Sequence, residues 1–199
     1  MKEQSMRDPG PVVLDGTHVR LEPLSLDHAQ GLHIAGQMTE DWRYMPRACF
    51  VDLPDCKHWI AEAQQATGQL AFAIVEKARG RPVGSSRYLN IRSEHRGLEI
   101  GWTWLGRDWQ RTPVNTEAKL LLLQHAFEEL SAVRVEFKTD VRNERSQRAL
   151  LRIGAQREGV RRKHMIVQDG HVRDSVYFSI IADEWPQVKA GLHDRLKRG

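Results

Sequence analysis

The order of signals between residues 109 and 154 constrains this chain more than any other stretch. Trp109-Gln110-Arg111-Thr112-Pro113-Val114-Asn115-Thr116-Glu117-Ala118 reads as a turn that opens a helix. Thr112 is a favoured cap there, and Pro113 sits at the first helical position, where a missing N–H loses no bond. The helix repeats Leu120, Leu123, Phe127 and Leu130, with Leu122 and Ala126 beside them, so one stripe must be buried. Val133, Val135 and Phe137 then alternate with Arg134, Glu136 and Lys138, the pattern of a half-buried strand. A second turn at Asn143 leads into a short helix, Ser146 to Ile153, with Gly154 where a left-handed residue is wanted. Two helix N-termini flanking one strand direct unpaired N–H groups at one place, which is a seat for phosphate.

The rest of the chain supplies strands and helices in alternation. An edge strand is expected at His18 to Glu22, a helix at Ser25 to Gln37, an ordered loop at 38 to 54 and a second helix at Asp55 to Ala66. A meander follows at Leu70 to Glu76, Val83 to Ile91 and Leu98 to Trp104, turning at Gly80-Arg81-Pro82 and Glu94-His95-Arg96-Gly97. Two last strands, Gln156 to Met165 and His171 to Ile181, precede a tail helix striped with Trp185, Val188, Leu192 and Leu196. The fold class is α/β in order and α+β in pairing: mostly antiparallel strands with helices between them. Residues 1–11, with Pro9-Gly10-Pro11, read as a flexible leader, and 12–182 as one domain. Residues 183–199 read as a C-terminal helix packed on that domain or on a partner chain, so a homodimer is open.

At 199 residues the chain suits one domain with a sizeable core. A net charge of +4 and a pI of about 9.3 favour anionic ligands without selecting among them. No aromatic and basic residues interleave in a recognised nucleic-acid motif, so nucleic acid is not the expected partner. Cys49 and Cys56 close only a short loop and suit two free thiols in a reducing compartment. The polar segment 1–16 holds no signal-peptide core, and the longest apolar run, Leu70 to Val75, is too short for a bilayer. A cytoplasmic chain without a membrane partner is expected.

With those residues in view, the chain resembles the Gcn5-related N-acetyltransferase (GNAT) superfamily. Within it, the likeness is to the branch of ribosomal-protein N-terminal acetyltransferases. The family's phosphate loop, Gln/Arg-x-x-Gly-x-Gly/Ala followed by Thr-Glu-Ala, is matched by Gln110 and by Thr116-Glu117-Ala118. It is broken at Pro113 and Asn115. Asn143-x-x-Ser146, Ile153-Gly154-Ala155 and Glu158-Gly159 extend the match, and the layout covers about residues 12–182.

The resemblance implies acetyl-CoA as acyl donor and an amine as acceptor, either a protein N-terminus or a small molecule such as a polyamine, amino acid or antibiotic. It implies cofactor contacts from Trp102, Thr103, Gln110, Arg111, Thr112, Val114, Asn115, Thr116 and Asn143, and main-chain polarisation of the thioester near Ile100 to Thr103. It also places Ser146 near the departing thiolate, although Asn143 and Ser146 are equally favoured helix caps. The loop Trp42-Arg43-Tyr44-Met45-Pro46 matches the family's substrate-facing loop in position, which makes Trp42, Tyr44 and Met45 candidate substrate contacts.

The residues themselves nominate Glu99. Alternation puts Leu98, Ile100, Trp102 and Trp104 on one face of their strand, with Glu99, Gly101 and Thr103 on the other. A partly buried carboxylate with raised pKa suits proton removal from an attacking amine, while the alternative is a solvent-facing group paired with Arg87 or Arg96. His164, after Arg161-Arg162-Lys163, reads as part of a solvated basic strand end. No zinc-site spacing appears, so no metal is expected. The absence of a nucleophile elbow favours direct transfer in a ternary complex. The rival reading, motivated by Pro113 and Asn115, is an acyl-CoA-binding regulatory module on the same fold.

Overall fold

The computed structural model of the chain, described over residues 5–198, is built on one eight-stranded sheet. Its strands are β1 (Leu14–Asp15), β2 (Val19–Pro23), β3 (Leu70–Glu76), β4 (Arg81–Arg92), β5 (Gly97–Leu105), β6 (Arg134–Asp140), β7 (Gln156–Ile166) and β8 (Val172–Ile181). They lie in the order β1-β2-β3-β4-β5-β6-β8-β7, and every neighbouring pair is antiparallel except β5 with β6. That exception follows from connectivity, because α3 (Pro113–Gln124) carries the chain back across the sheet, as a parallel crossover requires.

Side chains that alternate along β3 assign the two faces. Phe72 and Ile74 join the larger core, whereas Ala71, Ala73 and Val75 join the smaller one. The larger core lies under α3, α4 (Glu144–Arg152) and α5 (Trp185–Lys197), and includes Leu98, Ile100, Leu122, Phe137, Phe178 and Trp185. The smaller lies under α1 (Ala29–Ala35) and α2 (Leu53–Gln65), with Trp42, Phe50, Trp59, Ile60 and Trp104. The tail helix packs on its own domain: Trp185, Val188 and Leu192 are buried against this larger core, and Trp185 Nε1 donates to Glu128 at 2.7 Å.

Several boundaries differ from the sequence expectation. The first helix begins with a tight turn at Leu26–His28 after Ser25. The second starts two residues early because Asp52 caps it and Pro54 is tolerated in its first turn. Beyond Gln124, α3 widens into a π turn, His125–Glu129, and the Tyr88 hydroxyl donates to the Leu122 carbonyl at 2.7 Å just before it. The leader is not free along its described part. Met6 is 4% exposed within the larger core, and the Arg7 N–H donates to the Leu130 carbonyl at 2.9 Å. One well-seated methionine and a main-chain bond outweigh the loop character of Pro9-Gly10-Pro11, while residues 1–4 of that leader lie outside the described residues.

Glu117 anchors α3 to the sheet. Its carboxylate accepts from the main-chain N–H groups of Thr17, His18 and Val19 at 2.8, 2.6 and 2.7 Å, so a buried charge is met by three donors. Gly16 is needed for this contact, since a Cβ there would lie 2.6 Å from the Glu117 carboxyl carbon. Glu117→Ala should lower stability by about 2–4 kcal/mol, because it strands donors in the β1–β2 turn. Urea denaturation of the two proteins measures this, and an unchanged midpoint would show that α3 is held by its apolar stripe alone.

Candidate active site

The sheet opens where β5 meets β6. Their ladder runs only through Gly97↔Arg134, Leu98↔Val135 and Glu99↔Glu136, although β5 continues to Leu105 and β6 to Asp140. The chain leaves the end of β5 into α3 and the end of β6 into α4, so both helix N-termini border the gap. A crevice at the carboxyl ends of neighbouring parallel strands, where the chain departs on both sides, is where open sheets bind ligands.

A bulge in β5 sets what lines the gap. Ser85 pairs with Trp104 and Arg87 with Gly101, so Trp102 and Thr103 together oppose Ser86. Trp102 takes a left-handed φ of 50°, which is strained for a bulky residue. The extra residue reverses the alternation and corrects the expected faces. Leu98 and Ile100 stay toward α3, but Trp104 joins Trp42 and Phe50 on the opposite side. The Trp102 ring also lies on that side, 4.6 Å from the Arg87 guanidinium, which is 5.0 Å from the Trp59 ring and donates to Gln69 Oε1 at 3.3 Å. Thr103 turns toward α3 instead, its hydroxyl 2.7 Å from Ser86 Oγ and accepting from Lys119 Nζ at 2.7 Å.

Sequence reasoning missed Lys119. It lies in the apolar stripe of α3, one turn after Asn115 and one before Leu123, and its ammonium is 5.7 Å from the Phe137 ring. No ion pair joins it to an acid among the described residues, and burial pushes its pKa down to about 7. The signal was a lysine at a core position of the helical repeat.

Glu99 is 1% exposed. Neither Arg87 nor Arg96 pairs with it: Oε2 accepts from Asn90 Nδ2 at 2.8 Å and from Lys138 Nζ at 3.0 Å. Oε1 is buried with no partner among the described residues, and a Cβ on Gly101 would sit 2.9 Å from it. Lys138 is paired with Tyr177 on β8, and beyond them His164 bonds to the Tyr177 hydroxyl at 3.2 Å and the Ser175 hydroxyl at 2.9 Å. His164 is therefore part of this polar face and not a solvated strand end. Burial, then the nearby Lys138, Arg161 and Arg173, lower its pKa, with Glu99 opposing.

The loop and helix termini behave largely as capping chemistry demands. Arg111 takes φ 62° and is exposed. Thr112 caps α3 by accepting from the Val114 N–H at 3.3 Å, and Pro113 is the first helical residue. Val114 and Thr116 have buried side chains, so each can offer a ligand only main-chain groups, and the Val114 N–H is already taken. Asn115, half-buried, keeps its first-turn amide without an intrahelical partner. Gln110 spans the crevice: its Nε2 donates to the Leu105 carbonyl at 3.0 Å, and its Oε1 accepts from Arg145 on α4 at 2.7 Å. Arg145 was not anticipated, and it adds a cation facing the loop.

Asn143, not Ser146, is the cap of α4. Its Oδ1 accepts from the Ser146 N–H at 3.0 Å, which puts Ser146 inside the first turn with a half-buried hydroxyl that makes no hydrogen bond among the described residues. In the loop after α1, Trp42 is fully buried and donates to the Gly36 carbonyl at 2.9 Å, so it anchors the loop and does not line a pocket. Met45 packs half-buried beside the smaller core. Tyr44 is half-buried, its ring between the guanidinium groups of Arg43 and Arg142 at 5.5 and 5.7 Å.

The family model described as an acetyltransferase (GNAT) domain matches residues 18–156. This chain belongs to the GNAT acetyltransferase family. The Bacillus subtilis (strain 168) protein named "Putative ribosomal N-acetyltransferase YdaF" is 35% identical over 100 residues, covering 50% of this chain and 54% of that protein. The chain thus spans about half of YdaF's length. The structure of a GCN5-related N-acetyltransferase from Brucella melitensis is 29% identical with a TM-score of 0.93, covering 98% of this chain and 90% of that one. A "putative acetyltransferase" from T. thermophilus is 40% identical with a TM-score of 0.88, covering 96% of this chain and 100% of that one. The GNAT family uses acetyl-CoA as acyl donor. The crevice holds unpaired main-chain groups along β5, two helix N-termini, and Arg145 bonded to Gln110.

Lys119 generates a test of the crevice floor. Its folded pKa is below its unfolded one, so the unfolded chain binds more protons between about pH 7 and 10.5, and stability rises with pH across that window. The penalty is fully present below pH 7. Lys119→Met should therefore stabilise the protein by several kcal/mol (on the order of 3–5) at pH 6, and the gain should shrink by pH 10. Denaturation midpoints at the two pH values measure it, and a gain that does not change with pH would contradict a strained, buried ammonium.

Proposed function

We propose that the chain moves an acetyl group from acetyl-CoA to a primary amine by direct transfer, with both substrates held in the crevice together. The observation that carries this reading is the early end of the β5–β6 ladder, which leaves strand main chain free beside a buried carboxylate. Acetyl-CoA supplies the activated acyl group, and the protein's part is to hold, orient and manage protons. The Asn115 amide, Arg111 and Arg145 suit the diphosphate. Main-chain groups of β5 beyond Glu99 that face β6, left unpaired on that side, suit the thioester carbonyl. Holding both reactants in one gap supplies much of the rate gain through proximity.

Glu99 is assigned the proton of the attacking amine. Its unpartnered Oε1 supports this role, and Lys138 and Asn90 hold the other oxygen still. Ser146 is assigned the departing thiolate, supported by a hydroxyl with no other task at the mouth of α4. The acceptor class includes a protein N-terminus, in keeping with the ribosomal acceptor in YdaF's name. One observation favours the non-catalytic alternative: Pro113 lacks an N–H and Thr112 occupies that of Val114, so the first turn has fewer donors for phosphate. Thiol release from acetyl-CoA in the presence of amines separates the two.

CoA should raise the melting temperature progressively with concentration, since it binds only the folded state. Arg145→Ala should weaken CoA affinity by about tenfold while leaving the apo protein folded. Calorimetry that finds no CoA binding at millimolar concentration would end the cofactor reading.

Glu99→Gln should lower kcat by about 10²-fold or more, with CoA affinity nearly unchanged. The deficit should narrow at high pH, where the amine is already neutral. Ser146→Ala is a clean companion because Asn143 provides the cap: kcat should fall with no change in melting temperature. A wild-type rate in either variant removes that residue from the mechanism and leaves transfer by proximity in place.

A further inference from the structure

Arg173 is a buried cation with no ion-pair partner among the described residues; the acids that act on it, Asp140 and Glu99, are themselves bonded to Arg142 and Lys138. Arg173 is 5% exposed, its Nε has no partner among the described residues, and its Nη1 reaches only the Tyr44 carbonyl, at 3.5 Å. A guanidinium withdrawn from water ordinarily meets a carboxylate or phosphate at bonding distance, and the lack of one here points to a partner supplied from outside. Arg173, Ser175 and Tyr177 alternate along β8 and so share one face. Register places Tyr177 opposite Lys138, whose ammonium holds Glu99. The lone guanidinium therefore lies on the same face as the carboxylate assigned to the amine.

Its surroundings carry the same sign. An open cavity beside this face is lined by Arg161, Arg162, Lys163 and His164, and Arg161 lies 4.7 Å from the Tyr177 ring. The nearby acids are already engaged. Glu99 pairs with Lys138, Asp140 with Arg142 at 2.8 Å, and Asp174 accepts the Lys163 N–H at 2.7 Å. None of Arg161, Arg162, Lys163 or Arg173 forms an ion pair among the described residues. A surplus of unpaired cations in a cleft attracts anions and repels polycations.

We infer that the acceptor is an anionic amine: a molecule whose attacking amine carries a carboxylate or similar group that docks on Arg173, drawn in by the Arg161–Lys163 rim. This rests on the acetyl-transfer reading above and narrows its acceptor. It runs against polyamines and cationic antibiotics, whose charges would meet like charges. The anion can come from the α-carboxylate of a free amino acid or from acidic side chains behind a peptide N-terminus. Strand geometry favours the second, because Arg173 lies four residues, roughly 13 Å, along β8 from Tyr177.

The test is thiol release from acetyl-CoA with a matched amine panel: short peptides differing only in Asp/Glu, Asn/Gln or Lys after the first residue, free acidic amino acids, and spermidine. Acidic peptides should exceed their neutral counterparts in kcat/KM by about tenfold or more, mostly through KM. That advantage should shrink as salt rises from about 50 mM to about 500 mM. Arg173→Gln should abolish most of the preference, and Arg173→Lys should restore part of it. Should Arg173 variants fail to fold, Arg161→Ala with Arg162→Ala on the exposed rim should flatten the salt dependence. A free amino acid matching the acidic peptides moves the anion to the α-carboxylate while keeping the anionic acceptor. Equal or better turnover of neutral peptides or spermidine overturns the proposal and leaves acetyl transfer standing, whereas no thiol release with any amine overturns both.

Discussion

The parallel pairing of β5 with β6 stops at Glu99 and Glu136 while both strands run on, so main-chain donors and acceptors are left open inside the sheet. An unpaired ladder buried in protein is unfavourable unless something fills it. Here the filling is arranged from several sides. The bulge at Trp102 and Thr103 turns β5 so that it need not rejoin its neighbour, and α3 and α4 bring their N-termini to the same edge. Gln110 then ties the end of β5 to Arg145 of α4 across the opening.

Charge is distributed unevenly about that gap. On the α3 side Lys119, held by a threonine hydroxyl against an aromatic ring, lies beside the larger apolar core. On the other side Glu99 is the centre of a polar face that includes Lys138, Tyr177, His164 and Arg173, and the smaller aromatic core ends where this face begins. The Trp42–Pro46 segment bridges the two regions: Trp42 is rooted in the aromatic core, while the Tyr44 carbonyl meets Arg173. In the proposed transfer, acyl donor and acceptor amine meet surfaces of different character.

Capping chemistry explains why family-like motifs are only partly about the ligand. Thr112, Pro113 and Asn143 each do what their residue types do at helix starts, and Glu117 in Thr116-Glu117-Ala118 holds the β1–β2 turn. Their value to the site is indirect: they point two helix ends at one gap. Ser146, freed from the cap by Asn143, is the exception whose side chain has no structural task.

The chain's sequence by itself determined the element order, the mostly antiparallel sheet, the Thr112–Pro113 helix start and the family likeness, since these depend on local periodicity, capping and short motifs. It also nominated Glu99, because a carboxylate in the middle of an apolar strand is conspicuous in one dimension. Only the tertiary structure decided which faces Thr103 and Trp104 occupy, because one bulged residue inverts every side chain after it and leaves no periodic trace. It likewise buried Trp42 and Met6, chose Lys138 over Arg87 and Arg96 as the partner of Glu99, and brought Lys119, Arg145, His164 and Arg173 to the crevice. Those residues sit far apart in the chain on different elements, and what distinguishes them is a missing or distant partner, which no local pattern of residues encodes.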